Sequence, residues 1–309
     1  MIVTRHLSWG CERWWLVVNV VGRLELIFSM TQRILVLFIV MLLQGGAPLW
    51  GGEPAPVAKE EEVDPDVLRK VRKLIKATLS EDTAEREGAW KTLKDMGNLA
   101  VPGLVGVYRA KETTPQMMKS ILIALGDSKD PRAGPALMEI LKSDVPAVRR
   151  DAARALGDTG YKDACKALEE VAANEKEPDD VRLYSAVAGA KMGSEPSLGL
   201  LAKLMKAEKP EIRSRAVFAL GKYGGIKQAP LLEKALDDSD QSVREDAVEA
   251  LRLLKEKQAW GGLVKATADS DYKVRNGAMD ALKQLTGQKL EGAAAWQEWW
   301  KTEKEKVKE

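Results

Sequence analysis

Asp238-Ser-Asp-Gln-Ser-Val-Arg-Glu-Asp-Ala-Val-Glu-Ala-Leu-Arg-Leu-Leu254 is the stretch that decides the fold. Asp269-Ser-Asp-Tyr-Lys-Val-Arg-Asn-Gly-Ala-Met-Asp-Ala-Leu282 repeats it one period later. The same Arg falls at Arg149, Arg182, Arg213, Arg244 and Arg275, in steps of 33, 31, 31 and 31 residues. One unit earlier Met117-Met118 stands in the Val-Arg place, and Ala124-Leu-Gly-Asp127 matches Ala155-Leu-Gly-Asp158. Self-similarity at a fixed period of this size marks a stacked repeat array, because one short unit cannot bury its apolar face alone.

Within a unit, Val148, Ala152, Ala155 and Leu156 lie at i, i+4, i+7 and i+8, the apolar stripe of an α-helix. Ile212, Ala216, Ala219 and Leu220 repeat the stripe, as do Val243, Ala247, Ala250 and Leu251, and Val274, Ala278, Ala281 and Leu282. The recurrent Ala lets a neighbouring helix approach closely. A second stripe follows a short break, with Leu137, Leu168, Leu201, Leu232 and Leu263 in register. Each unit is therefore expected to be helix, tight turn, helix. Gly157 with Gly160, Gly193, and Gly221 with Gly224 and Gly225 serve as turn breakers. Pro146, Pro178 and Pro210 stand ahead of first helices, where a missing N–H costs nothing. The unit around Val181 carries Ser185 and Gly189 where Ala and Leu are expected, which predicts the loosest unit of the stack.

An acidic residue precedes each Val-Arg. Asp144 leads Arg149 by five, Asp179 leads Arg182 by three, and Asp240 and Asp271 lead Arg244 and Arg275 by four. The acids suit a helix N-terminus, and each Arg can reach an acid of its own or the adjacent unit. Exposed pairs of this kind contribute about 0.2–1 kcal/mol each, so the ladder sets register more than it adds stability.

The motif Asp-x-x-x-Val-Arg-x-x-Ala-x-x-Ala-Leu at about thirty residues resembles the short HEAT repeats, the type also found in phycobilisome lyases. The resemblance covers roughly residues 64 to 300. It implies an all-α, right-handed α-solenoid of about seven stacked helical hairpins, and a surface that binds protein. The ending Leu285-Thr-Gly-Gln288 followed by Trp296-Gln-Glu-Trp-Trp300 resembles the C-terminus of secreted HEAT-repeat proteins of planctomycete-type bacteria.

Five segments follow from composition. Residues 1–29 form a doubtful extension before Met30, a better start. Residues 30–52 have the basic start, apolar core and small-residue tail of a signal peptide, and without an Ala-x-Ala site they equally suit a retained anchor. Residues 34–43 are the apolar core and the candidate membrane tether. Residues 53–66 are a Pro-rich acidic linker, 67–300 the repeat array, and 301–309 a charged tail. Export to the periplasm or cell envelope is the expected localisation.

Removing residues 1–52 takes away Arg5, Arg13, Arg23 and Arg33 with Glu12 and Glu25, which leaves 44 basic and 44 acidic residues. The signs are interspersed and no basic stripe with interleaved aromatics occurs, so nucleic acid is a poor partner. The only histidine, His6, lies in the leader, which removes histidine general bases, Ser-His-Asp triads and histidine metal sites from an exported chain. Cys165 is the one cysteine outside the leader and is expected to be a small core residue. The expectation is a protein-interaction scaffold that is no enzyme, with no cofactor and no metal, acting as a monomer. The alternative is an accessory subunit of an enzyme or a phycobilisome-lyase-like, tetrapyrrole-handling protein. Two surfaces are candidates for a partner. One is a concave groove formed by second helices, including Glu139, Lys142, Lys166, Glu169, Lys203, Lys206, Glu233 and Lys234. The other is the C-terminal face of Trp296, Trp299 and Trp300, whose first reading is a hydrophobic lid over the last unit.

Overall fold

The computed structural model describes residues 63–110 and 113–306. The leader, His6 and the candidate tether at 34–43 lie outside the described residues. Among those described, every regular element is a helix, and none is long and apolar enough to cross a membrane. An opening helix α1 (Pro65–Ala77) is followed by seven hairpins. These are α2 (Thr83–Met96) with α3 (Val101–Arg109), α4 (Pro115–Ser128) with α5 (Gly134–Ile140), and α6 (Pro146–Thr159) with α7 (Cys165–Ala173). Next come α8 (Asp179–Lys191) with α9 (Glu195–Leu204), α10 (Pro210–Tyr223) with α11 (Ala229–Ala235), and α12 (Gln241–Leu254) with α13 (Trp260–Ala266). The last pair is α14 (Tyr272–Thr286) with α15 (Ala293–Glu303).

The apolar columns become the core. Leu137, Leu168, Leu201, Leu232 and Leu263 are each 0% exposed, as are Ala152, Ala216, Ala247 and Ala278 of the first helices. Burying a leucine side chain contributes about 1.5–3 kcal/mol, and here one per unit does so at the same place. Pro146 and Pro210 occupy the first turns of α6 and α10, while Pro178 precedes α8, so a fixed φ replaces a side-chain cap at all three. Asp240 and Asp271 cap α12 and α14 instead, accepting from the amides of Ser242 and Lys273 at 2.8 Å each.

The glycines divide into two groups. Gly160, Gly193 and Gly225 have φ of 68°, 88° and 68° and turn the chain, as expected. Gly157 and Gly221 are not turn residues. They lie buried inside α6 and α10, where the next first helix approaches. A Cβ on Gly221 would sit 2.4 Å from both Cα and Cβ of Ala250, and one on Gly157 2.9 Å from Cα of Ala188. Gly126 meets Ala155 in the same way, at 3.2 Å. A seam of Gly on one helix and Ala on the next thus draws the first helices together.

Successive first helices pack far more closely than successive second helices. The first helices α4 to α14 thus form one closely packed row, and the second helices form the other. Glu139, Glu169 and Glu233 lie on the opposite row and are engaged between neighbouring units. Glu139 meets Arg109 at 3.6 Å, Glu169 accepts from Ser194 at 2.5 Å, and Glu233 packs where a Cβ on Gly262 would fall. Lys142, Lys166, Lys203, Lys206 and Lys234 are exposed residues of that same row.

The unit of α8 and α9 holds its departures inside, with the Ser185 and Ser197 hydroxyls buried and without a hydrogen-bond partner among the described residues. Ser185 and Gly189 are buried, and Gly189 leaves the space that Ser197 of α9 fills.

Candidate functional site

The arginine column closes a ladder along the edge where second helices give way to first. Arg213 donates through Nε and Nη2 to the Asp238 carboxylate at 2.8 and 2.7 Å, and through Nη1 to the Ala207 and Glu208 carbonyls. Arg244 repeats this on Asp269, at 2.9 and 3.2 Å, while its Nη1 reaches the Asp238 carbonyl. Arg149 reaches Glu177 at 2.5 Å and the Ser143 carbonyl at 2.7 Å. Arg275 keeps the carbonyl contacts alone, to Asp269 and Ser270 at 2.7 Å each. The acids of the rungs are therefore Glu177, Asp238 and Asp269, all from the following unit. Asp240 and Asp271 are caps, Asp179 meets Arg182 of its own helix at 3.4 Å, and Asp144 is exposed beside a helix that Val145 begins. Arg182 turns back to the Ala172 carbonyl at 3.1 Å, so the ladder is interrupted there. Arg86, not singled out by the repeat, holds the Ser80 carbonyl at 2.7 Å as a first rung, with Asp82 as its cap.

Asp238 is the hub. The Arg213 hydrogen bonds hold its carboxyl below the usual range against the burial that opposes them. At Asp269 burial pushes upward, and the Arg244 hydrogen bonds with the Asp271 amide overcome it. A folded-state pKa below the unfolded value means that the stability is fully present above the ordinary carboxylate pKa. It is lost as pH falls through the depressed one. Replacing Asp238 with Ala leaves the nearly buried Arg213 fork unpaired and is expected to cost about 2 kcal/mol in urea unfolding at neutral pH. Asp238→Asn is expected to make the acid limb of the stability curve shallower; an unchanged limb would show that the rung does not carry it.

On the face of the first helices, α10 presents Arg215, Phe218 and Lys222 at i, i+3 and i+7. Together with Leu183, Tyr184 and Val187 of α8, Ala219 and Tyr223 of α10, and Asp246 of α12 they line a cavity of about 410 Å³. That is the size of a site that accepts a side chain or small ligand. The Arg215 guanidinium donates to the Tyr184 hydroxyl and lies 5.7 Å from that ring's centre. Lys222 lies 5.9 Å from the Phe218 ring and 5.5 Å from the Tyr223 ring. Ser214 donates to Asp246, whose carboxyl burial pushes upward, with Glu245 and Glu249 adding to the shift. A second cavity, about 750 Å³, opens on the same face between α2 and α4, against Trp90, Lys91, Lys94, Ile123 and Lys129. Sequence reasoning missed both cavities, since their residues come from different units.

The C-terminal tryptophans turn inward. Trp296 is 0% exposed. Trp299 lies 5.5 Å from it, edge to face, and 5.7 Å from Trp260 of α13, while Trp300 lies against Gly261. The stripe at i, i+3 and i+4 is a lid on the last unit, and Trp296 presents nothing to a partner. Cys165 is half-buried at the start of α7, not a core residue, and lines neither cavity. Burial pushes its thiol upward and Glu169 adds to this, so the thiol stays protonated at neutral pH.

Stacked hairpins with a Gly/Ala seam and a rung ladder define an α-solenoid repeat scaffold. The family profile for HEAT repeats matches residues 109–188, 172–252 and 230–296. The chain belongs to the HEAT repeat family. Among curated proteins none matches it. Among solved structures it is similar to the CpcE–CpcF complex of phycocyanin lyase from Nostoc, at 18% identity over 76% of this chain and 99% of that one, TM-score 0.42. It is also similar to human deoxyhypusine hydroxylase, at 18% identity over 72% and 98%, TM-score 0.36. A designed armadillo repeat protein in complex with the peptide (KR)4 matches at 17% identity over 72% and 100%, TM-score 0.37. At such identity these likenesses concern the fold alone.

Proposed function

We propose that this chain is an exported, non-catalytic scaffold that binds a segment of another protein along its first-helix face. The observation that carries the reading is the cavity walled by Tyr184, Phe218 and Tyr223, which offers an aromatic anchoring pocket between the first helices α8 and α10. Repeat arrays use such faces for extended contact, and a few anchors supply most of the affinity. Export is supported by the composition of residues 30–52, and residues 34–43 would tether the array if the leader is kept. A tetrapyrrole-handling role would call for an apolar pocket with a reactive thiol or a neighbouring arginine; Arg215 lines the cavity, while the placement and protonation of Cys165 weigh against the thiol.

The test places a photo-crosslinking residue at Phe218 and, separately, at Glu139 on the opposite row, followed by mass spectrometry of envelope extracts. One stoichiometric protein captured from position 218 and not from 139 is the expected result. Capture from 139 alone, or from neither, would overturn the reading.

A further inference from the structure

We infer that the Phe218 cavity takes an apolar side chain flanked on both sides by carboxylates, so that the partner segment carries an acidic–apolar–acidic motif. The inference rests on the reading that this face binds protein, and it names the chemistry of what is bound.

Arg215 and Lys222 stand seven residues apart on one face of α10, about 10 Å along the helix axis, with Phe218 between them. Arg215 is held by the Tyr184 hydroxyl and ring. Lys222 is held by two ring faces, which leave its ammonium without an anionic acceptor. Neither cation forms a salt bridge among the described residues, whereas Arg150, Arg154, Lys191 and Arg252 of neighbouring first helices each meet a carboxylate. The two cations that flank the cavity thus both lack an anionic partner among the described residues. Three residues of an extended chain span about 10 Å, which matches the separation of the cations. The acids Asp246, Glu245 and Glu249 on α12 repel a carboxylate on that side, which places the motif along α10 rather than across to α12.

The experiment titrates the full chain with labelled acetyl-Gly-Glu-Phe-Ser-Glu-Gly-amide, read by fluorescence anisotropy. Peptides with both Glu replaced by Lys, or with Phe replaced by Ala, serve as comparisons. The acidic peptide is expected to bind at least about tenfold more tightly than the lysine peptide at low salt, and the alanine peptide to lose most of its binding. The double variant Arg215→Glu/Lys222→Glu is expected to reverse the order of the acidic and basic peptides, a result that misfolding cannot produce. Equal binding of the two peptides, or an order unchanged by the double variant, would overturn the inference. If position 218 still captures a protein in the crosslinking test, only the motif is wrong; if it captures none, the binding face itself is wrong.

Discussion

Replacing Gly221 with Val is expected to destabilise the array by about 3 kcal/mol, toward the upper end of overpacking costs. The added Cβ would overlap the Cα and Cβ of Ala250, each 2.4 Å away, and its carbonyl oxygen at 2.8 Å. These are backbone neighbours, so no side-chain rotation relieves the contact. The helices α10 and α12 must separate, and the Arg213–Asp238 rung between their units loosens with them. Gly221→Ala introduces the same Cβ, and its gain in helix propensity, about 1 kcal/mol, offsets only part of the clash. Gly199 provides the control. It is exposed in the interior of α9, and a methyl added there meets nothing within 4 Å, so Gly199→Ala is expected to stabilise by about 0.5–1 kcal/mol. Urea unfolding of the three variants checks the ranking. A Gly221→Val chain as stable as the parent would mean that the seam is not close-packed in solution.

Trp296→Ala is expected to cost about 3–5 kcal/mol, the cost of emptying a large buried aromatic site. In a quasi-one-dimensional stack the loss stays near where it occurs. Amide exchange should therefore accelerate in α13, α14 and α15, and change little from α4 to α8. Trp296→Phe separates volume from polarity. The indole Nε1 is buried with no hydrogen-bond partner among the described residues, so removing it relieves an unsatisfied donor while part of the volume remains. The phenylalanine variant should fall within about 1 kcal/mol of the parent. Uniform acceleration along the whole array would contradict the local picture of the lid.

The columns of Ala and Leu were legible as the core because both recur at helical spacing and at a constant period. Leu137 through Leu263 all end fully buried. The close approach of the first helices was not legible, since both helix rows share the period. The signal was present in Gly126, Gly157 and Gly221, each following Ala-Leu, but glycine near a helix end has the same appearance whether it turns the chain or admits a neighbour. The ladder acids were displaced by two residues because Asp238 and Asp240 are equivalent candidates in one dimension, and only stacking separates rung from cap. Arg86 was hidden by Glu85 in the place of Val or Ile, although Asp82-x-x-x-Arg86 keeps the spacing. Tyr184, Phe218 and Tyr223 carry no periodic signature, so the cavity exists only once α8 and α10 stand side by side.

The rungs also bear on how such a chain changes length. The α10 unit supplies an arginine forward, Arg213, the α12 unit a carboxylate backward, Asp238, and an arginine forward, Arg244, and the α14 unit a carboxylate backward, Asp269. A duplicated unit of 31 residues spliced between α11 and α12 would find both of its rungs already complementary. A duplicate spliced at Arg182 would find no rung to join. Growth and shrinkage by whole units are thus tolerated toward the C-terminal half, up to the tryptophan lid, and resisted at α8.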